Sequence, residues 1–173
     1  VRERIISFIE FLDQNRSIAY QFFIVLLVII LGWGYKSGLD RESARKSKSL
    51  IGVAQNNYNL GQKDIAISEM KNLVNEYSLS DAANQANSYL MKHYFLESDD
   101  LNVLTYFNNL PSDLKDPVIS AYLNEMAGNS HLNIGNHAKA LSNFNQSIKL
   151  ASGTSFEVSF KLSLIQGLIS SGE

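Results

Sequence analysis

The sequence predicts an all-α protein in which one N-terminal transmembrane helix precedes an α-solenoid of helical hairpins, with about 3.5 repeats of 37 residues. Three observations carry this prediction. Residues 17–35 contain nineteen residues without a charge. Beyond them, apolar residues recur every three or four positions, which favours helices over strands. Finally, the segment around Gly61 resembles the segment around Gly135, 74 residues later.

The composition excludes several classes of function. With 45% apolar and 18% charged residues, the 173-residue chain has the composition of a folded protein. Its formal charge is −2, and seven Lys or Arg face twelve Asp or Glu from Leu50 onward, so nucleic acid is not expected as a partner. The lack of cysteine excludes disulfides, zinc–thiolate sites and thiol nucleophiles. Because the chain begins with Val1 and has no obvious finish at Glu173, we expect both ends to be trimmed.

The predicted span 17–36 has the length of a membrane-spanning helix, since its nineteen uncharged residues, 17–35, cover about 28 Å at 1.5 Å each. Eleven Ile, Leu, Val or Phe residues between Ile18 and Leu31 favour insertion by about 3–7 kcal/mol. The aromatic residues Tyr20, Trp33 and Tyr35 stand where interfacial aromatics belong. The side chains predicted to anchor the chain in lipid are Phe22, Phe23, Leu26, Leu27, Ile30 and Trp33.

Two alternatives to the anchor fit residues 17–36 less well. A cleaved signal peptide usually has an apolar region of about 7–15 residues followed by small residues, whereas Trp33, Tyr35 and Lys36 follow this one. A buried core helix needs apolar surroundings on every side, which no other segment offers. We therefore interpret residues 17–36 as a single-span anchor, with the lipid bilayer as its partner.

The two flanks of the anchor differ in character. Residues 1–16 place apolar side chains at helical spacing opposite charged ones, which predicts either a short helix in the membrane interface or an extension of the span. Residues 37–46 form a predicted polar stalk, in which Asp40 is a candidate cap of a helix that continues through Leu60. Five basic residues follow the span closely and three precede it, which by the positive-inside rule places the C-terminal part in the cytoplasm.

The repeat domain is predicted over residues 47–173. Half of the 74-residue separation points to Ser98, and a further step of 37 residues reaches Gly172. Each unit is a helix, a turn at Gly61, Ser98 or Gly135, and a second helix. Glycine suits the turn because it adopts positive φ without a Cβ penalty. The last helix is the first half of a fourth unit whose second half is missing or was never present.

The small and large residues of these units resemble the tetratricopeptide-repeat (TPR) pattern. The matching residues are Gly128, Ala140 and Phe144 in the third unit, Ala54, Ala66 and Met70 in the first, and Leu90, Tyr94, Val103 and Phe107 in the second. Small residues are expected where paired helices approach closely, and the aromatic or Met fills the space between hairpins. No unit has the Trp that opens the family pattern or the Pro that closes it. An irregular helical bundle is the alternative.

No catalytic, cofactor-binding or metal-binding residue is predicted. His131 and His137 are six positions apart, across a turn, and not on one helical face. Asp99 and Asp100 suggest a paired carboxylate, but at the head of a helix we interpret them as capping residues. The sequence contains no Gly-rich phosphate loop, nucleophile elbow or zinc-hydrolase motif. We therefore expect a protein without catalytic activity or cofactor.

The order of anchor, the helix RESARKSKS and repeats resembles the bacterial YfgM-like family of ancillary Sec-translocon subunits. The resemblance implies repeats in the periplasm, partners at the translocon and a chaperone-like role for exported chains. A structural accessory subunit of a respiratory, photosynthetic or secretory membrane complex is an alternative, and an enzyme with its catalytic part beyond residue 173 is another. The many Asn and Ser on polar helix faces suit a groove for extended peptide or a solvated surface.

Overall fold

The computed structural model describes residues 16–172, so the amphipathic segment predicted at 1–16 lies almost wholly outside the described residues. Within them the chain forms helices and no strand, and the predicted all-α class is confirmed. The chain divides into two compact units, Val1–Arg45 and Lys46–Glu173. The helices are α1 (Arg16–Asn59), α2 (Lys63–Glu76), α3 (Asp81–Leu96), α4 (Asp100–Asn108), α5 (Pro117–Asn133), α6 (His137–Leu150) and α7 (Glu157–Ser171).

The apolar part of α1 is the predicted anchor. Among the described residues, α1 is the one helix long and apolar enough to cross a membrane. The six side chains predicted to meet lipid are between 42% and 75% exposed, so protein atoms do not cover them. By its length and composition, α1 is therefore a candidate membrane-spanning helix.

The polar residues that follow the span belong to the same helix. The expected helix start at Asp40 is wrong, because α1 runs without interruption through residues 37–46 to Asn59. The sequence explains this continuity, since RESARKSK is rich in residues with good helix propensity and contains no proline. Asp40 therefore caps nothing, and it lies as an exposed residue within α1.

The turns of the second unit repeat one hydrogen-bond pattern at a spacing of 37 residues. In each turn a backbone N–H bonds to the carbonyl oxygen five residues earlier, as in the Schellman motif. The donor and acceptor pairs are Gln62 and Asn57 at 2.9 Å, Asp99 and Tyr94 at 2.9 Å, and Asn136 and His131 at 2.8 Å. Because all three bonds shift together by 37 residues, the period of the sequence is also a period of the backbone.

The residues at the centre of these turns share a left-handed conformation. The φ angles are +82° at Gly61, +57° at Ser98, +78° at Gly135 and +77° at Gly172. Gly172 also ends α7 as its cap. The predicted turns are therefore present, and Ser98 is the one residue with a side chain, among those described, that adopts positive φ.

The core of the second unit consists of clusters shared by successive helices. The first joins α1, α2 and α3 through residues such as Ala54, Met70 and Leu90. The second joins α3, α4 and α5 through Met91, Val103 and Leu123. Ala66 and Ala140, predicted as small packing positions, are both buried. Each helix thus contributes one buried stripe and leaves the other face outward.

The second hairpin is less regular than its neighbours. Helix α4 has nine residues, whereas α2 and α6 have fourteen each. Pro111 stands 37 residues from Val74 and from Ile148, both of which are inside helices. Proline lacks the N–H that an interior helix position donates, so α4 ends early and residues 109–116 form a loop. This loop borders a groove on α3.

Candidate functional site

A groove of about 400 Å³ lies on the outward face of α3. Helix α1, the loop that precedes α5 and the start of α5 complete its walls. Its volume is within the range of about 300–1,000 Å³ that is common for ligand sites. The lining residues are Gln55, Asp81, Asn84, Gln85, Ser88, Tyr89, Leu114, Lys115, Asp116 and Ile119.

The polar face of α3 results from the spacing of its residues. Ala82, Ala83, Ala86 and Leu90 are buried on the inner side. The groove residues at positions 81, 84, 85, 88 and 89 recur every three or four residues and therefore share the opposite side. Ser80 fixes the start of the helix, because its Oγ accepts a hydrogen bond from the Ala83 N–H at 3.0 Å.

Side-chain amides provide the hydrogen-bonding capacity of the groove. The Gln55 Nε2 donates to the Gln85 Oε1 at 3.3 Å, and the Ser88 Oγ donates to the Asn84 carbonyl oxygen at 2.9 Å. Each amide side chain has two N–H donors and an acceptor oxygen with two lone pairs. One contact between Gln55 and Gln85 uses only part of this capacity, so donors and acceptors remain for a ligand that carries both.

An ion pair closes one end of the groove. The Lys115 Nζ lies 2.6 Å from the Asp81 Oδ2, which joins the loop to the start of α3. The hydrogen bond to Asp81 raises the pKa of Lys115 above its ordinary value. Both side chains are exposed, so salt screens their attraction. Nearby, Asp116 caps α5 by accepting hydrogen bonds from the N–H groups of Val118 and Ile119.

The groove also has an apolar side, formed by Tyr89, Leu114 and Ile119. The Tyr89 ring packs edge-on against Tyr58, with 5.8 Å between ring centroids, and this contact fixes its position. Ile119 is an exposed apolar side chain. A ligand that fits both sides has backbone-like polar groups and at least one aliphatic side chain.

A second cavity, of about 300 Å³, lies behind the same loop. It is lined by Phe107, Leu110, Pro111, Leu123 and Leu150, among other residues. Leu114 borders this cavity and the groove. Both openings therefore depend on the loop that replaces the missing turns of α4.

Two of the predicted repeat residues, Gly128 and Phe144, are brought into direct contact. A Cβ atom on Gly128 would lie 2.8 Å from the Phe144 Cε1, and one on Gly167 would lie 2.7 Å from the Phe144 Cε2. The fully buried ring is therefore held between two glycines. Sequence analysis missed Gly167. Its signal was a glycine inside an apolar helical run, where it costs about 1 kcal/mol relative to Ala.

The residue whose carbonyl oxygen accepts the turn hydrogen bond differs from hairpin to hairpin: it is Asn57, Tyr94 or His131. Asn57 donates a hydrogen bond to the Glu69 Oε2 at 2.9 Å. Tyr94 stacks on Tyr106 with 5.6 Å between centroids. In the third hairpin the Nδ1 of His131 is buried, and no hydrogen-bond partner for it occurs among the described residues. Burial, with the nearby Lys139 charge, lowers the pKa of His131.

Of the acidic pair at the head of α4, Asp99 caps the helix, as predicted, whereas Asp100 bonds to a neighbouring helix. Asp99 accepts hydrogen bonds from the backbone N–H and the side-chain amide of Asn102, and these bonds lower its pKa. Asp100 accepts a hydrogen bond from Asn133 at 3.2 Å. The two carboxylates thus have separate partners. Within residues 16–172 no group of three or more His, Cys, Asp or Glu side chains is arranged to hold a metal ion.

No protein-family model, curated protein or solved structure matches the chain. The groove was not assigned by sequence analysis, which noted only that polar helix faces rich in Asn and Ser can line a groove. The pattern at positions 81, 84, 85 and 88 contained the necessary signal. That pattern does not show that the loop at 109–116 lies beside this face of α3 and makes it a groove.

Proposed function

We propose that the chain is a non-catalytic, membrane-anchored protein of TPR-like hairpins whose groove on α3 binds an extended segment of a protein partner. The first part of α1 is the anchor, and the second unit presents the groove. The observation that carries the proposal is the row of amide and hydroxyl side chains on α3 beside an apolar wall. This combination matches a polypeptide backbone with an aliphatic side chain.

The match to a polypeptide backbone is chemical. Each residue of an extended segment presents one N–H donor and one C=O acceptor. Asn84 and Gln85 can donate to the carbonyl and accept from the N–H, because each amide has both kinds of group. Such contacts tolerate many sequences. The side-chain preference then comes from the contact with Leu114 and Ile119, which favours an aliphatic residue.

The anchor follows from the exposed apolar surface of α1. Monomeric proteins in water rarely expose contiguous apolar patches larger than a few hundred Å². The apolar side chains from Phe22 to Trp33 are all more than 40% exposed. A lipid bilayer removes this surface from water, and the length of α1 is sufficient to cross it.

We further propose that the partners are exported chains or subunits at the Sec translocon, with the repeats in the periplasm. The support is the resemblance in the order of anchor, basic helix and repeats. The charge count favours the opposite side, since five basic residues follow the span and three precede it, so the side is tested directly. Protease added to intact bacteria with permeabilised outer membranes tests the side. Cleavage of the second unit under these conditions supports the periplasm, and cleavage only in inverted vesicles contradicts it.

A photo-cross-linking side chain at Ser88 tests the binding groove in the full-length chain in vesicles. The probe is a chemically unfolded polypeptide added to the groove side. We expect cross-links from Ser88 and few from Leu79, which is fully exposed and outside the groove. The double variant Asn84→Ala, Gln85→Ala should lower the yield at Ser88 while the helical circular dichroism is retained. Equal yields from Ser88 and Leu79 would contradict the proposal.

A further inference from the structure

The cavity behind the loop at 109–116 lies where the packing of the repeat is incomplete. Phe107, which lines it, is half-buried, whereas Met70 and Phe144, one 37-residue step away on either side, are fully buried. Leu110 is also half-buried in the wall of the cavity, although both residues one step away from it are buried. The first and third hairpins thus fill this place with protein atoms. In the second hairpin the place is open to the atoms of a ligand.

The lining of the cavity carries no charge. Among the described residues that form it, none is an Asp, Glu, Lys, Arg or His. The groove on α3 differs, because Asp81, Lys115 and Asp116 line it. An ionised group that enters an uncharged cavity loses its water and gains no counter-charge, which disfavours binding. The cavity therefore selects an uncharged ligand.

The volume of the cavity suits a small compound. A cavity of about 150 Å³ is sufficient to hold a benzene ring, and this one has about 300 Å³. The apolar side chains that line it include Phe107, Leu110, Leu123 and Leu150. These side chains can surround one ring with a small substituent, and the contact removes apolar ligand surface from water.

Two side-chain amides add hydrogen-bonding groups to this lining. The Asn124 Nδ2 donates to the Ser120 carbonyl oxygen at 2.8 Å, and an amide has a second N–H donor and an acceptor oxygen besides. Gln146 also lines the cavity, and its amide has the same groups. A ligand with one hydroxyl or amide group can therefore bond to either side chain.

We propose that this cavity is a second binding site, which takes a small, uncharged molecule with an apolar ring and one hydroxyl or amide group. Leu114 borders the cavity and the groove, but the residues that select this ligand belong to the cavity alone. The proposal is therefore independent of a polypeptide partner, and it is tested without one.

Protection of an introduced cysteine tests the site in the full-length chain in phosphatidylcholine vesicles. Because the chain has no cysteine, Ser120→Cys places a single thiol in the wall of the cavity, at a buried position. Methyl methanethiosulfonate, a small thiol reagent, should react with it. The neutral probes are 4-methylphenol and 4-methylbenzamide. At about ten times its dissociation constant, a neutral probe should slow the reaction about tenfold, because only about one site in ten stays free. The charged analogue 4-methylbenzoate should not slow it at the same aqueous concentration.

Two other serines supply matched controls. Ser88→Cys places the thiol in the groove, where the probes should leave the rate unchanged. Ser130→Cys places it at a fully buried position outside the cavity, so it should react slowly with and without a probe. Adding Gln146→Leu to the Ser120→Cys chain should weaken the binding of 4-methylbenzamide about two- to tenfold, which is the loss expected for one hydrogen bond.

Four results would overturn the proposal. A Ser120→Cys chain that reacts no faster than Ser130→Cys means that small molecules do not enter the cavity. A rate that neither neutral probe changes, up to the limit of its solubility, means that the cavity holds water only. Equal slowing by 4-methylphenol and 4-methylbenzoate means that the lining does not select an uncharged ligand. Equal slowing at Ser88→Cys and Ser120→Cys means that the probes act on the whole protein or on the bilayer.

Discussion

The second and third hairpins have the same backbone turn, but their paired helices pack differently beside it. In the third hairpin, Gly128 allows the Phe144 ring to lie against the helix backbone, where it is fully buried. In the second, the equivalent positions hold Met91, which is buried, and Phe107, which is half-buried and lines a cavity. At the left-handed position of the turn, Ser98 replaces Gly135.

The difference shows that the hydrogen bonds of the turn and the packing of the helices are separable. A glycine opposite an aromatic lets two helices approach closely, and in the third hairpin the Phe144 ring packs against the helix at Gly128. A methionine at that place fills the space itself, and Pro111 shortens the following helix. The third hairpin is thus packed tightly around the Phe144 ring. The second, with its loop and cavities, provides the groove.

Removing the Phe144 ring is the largest test of this contrast. Phe144→Ala should destabilise the second unit by about 3–5 kcal/mol, because the ring fills the space between two glycines. Phe107→Ala should cost less, since that ring is half-buried beside an existing cavity. Thermal melting followed by circular dichroism in detergent checks both. Equal losses would show that the two hairpins pack alike.

Replacing Gly128 or Gly167 with alanine tests the contact between each glycine and the Phe144 ring. Gly128→Ala and Gly167→Ala should each cost about 1–3 kcal/mol, because the new Cβ atoms would lie within 3 Å of the ring. Gly52→Ala is the matched control. No atom lies within 4 Å of its Cβ position inside α1, so the better helix propensity of Ala should stabilise by about 1 kcal/mol. A stabilising Gly128→Ala would contradict the close approach.

The sequence predicted the features that depend on periodicity. The helical class, the long apolar helix and the turns at Gly61, Ser98 and Gly135 follow from local patterns of apolar residues and glycine. Two other features depend on how separate segments meet. The role of Gly167 exists only because Phe144, 23 residues earlier, points at it. The groove exists only because the loop at 109–116 lies beside α3. The glycine at 167 and the polar spacing on α3 are visible in the sequence, but the segments that they meet are not.

Single substitutions that give both turns the same residue, Gly or Ser, should change the stability of the unit in opposite directions. Ser98 has φ of +57°, a conformation that costs an L-residue roughly 1–2 kcal/mol. Ser98→Gly should therefore stabilise the unit by about 1 kcal/mol, and Gly135→Ser should destabilise it by a similar amount. Nothing lies within 4 Å of a Cβ on Gly135, so its cost is conformational and not steric. Melting temperatures that move in the same direction for both variants would refute this account.

The smallest expected effect is the pH dependence of stability that His131 contributes. Burial first, and then the Lys139 charge, lowers the pKa of His131 below the ordinary value of about 6.5. The unfolded chain therefore binds a proton at His131 at a higher pH than the folded chain. The free energy of unfolding should fall as the pH falls below about 6.5, until the folded His131 is itself protonated. His131→Asn, which copies the first hairpin, should remove this part of the dependence.

The first hairpin supplies a control with the opposite sign. Asn57, at the equivalent position, lies 2.9 Å from a Glu69 carboxylate oxygen. A histidine placed there by Asn57→His would gain an anionic neighbour, which raises its pKa in the folded state. Its stabilising contribution would be complete below about pH 6.5 and would disappear as the pH rises through the folded pKa. The His131→Asn chain is the reference, and melting temperatures are measured at about pH 7.5 and about pH 5.5, on either side of that value. Relative to this reference, the chain with His131 should lose stability at the lower pH. The reference chain with Asn57→His added should gain stability at the lower pH. A change of the same sign at both positions would mean that the neighbour across the hairpin does not set the histidine charge.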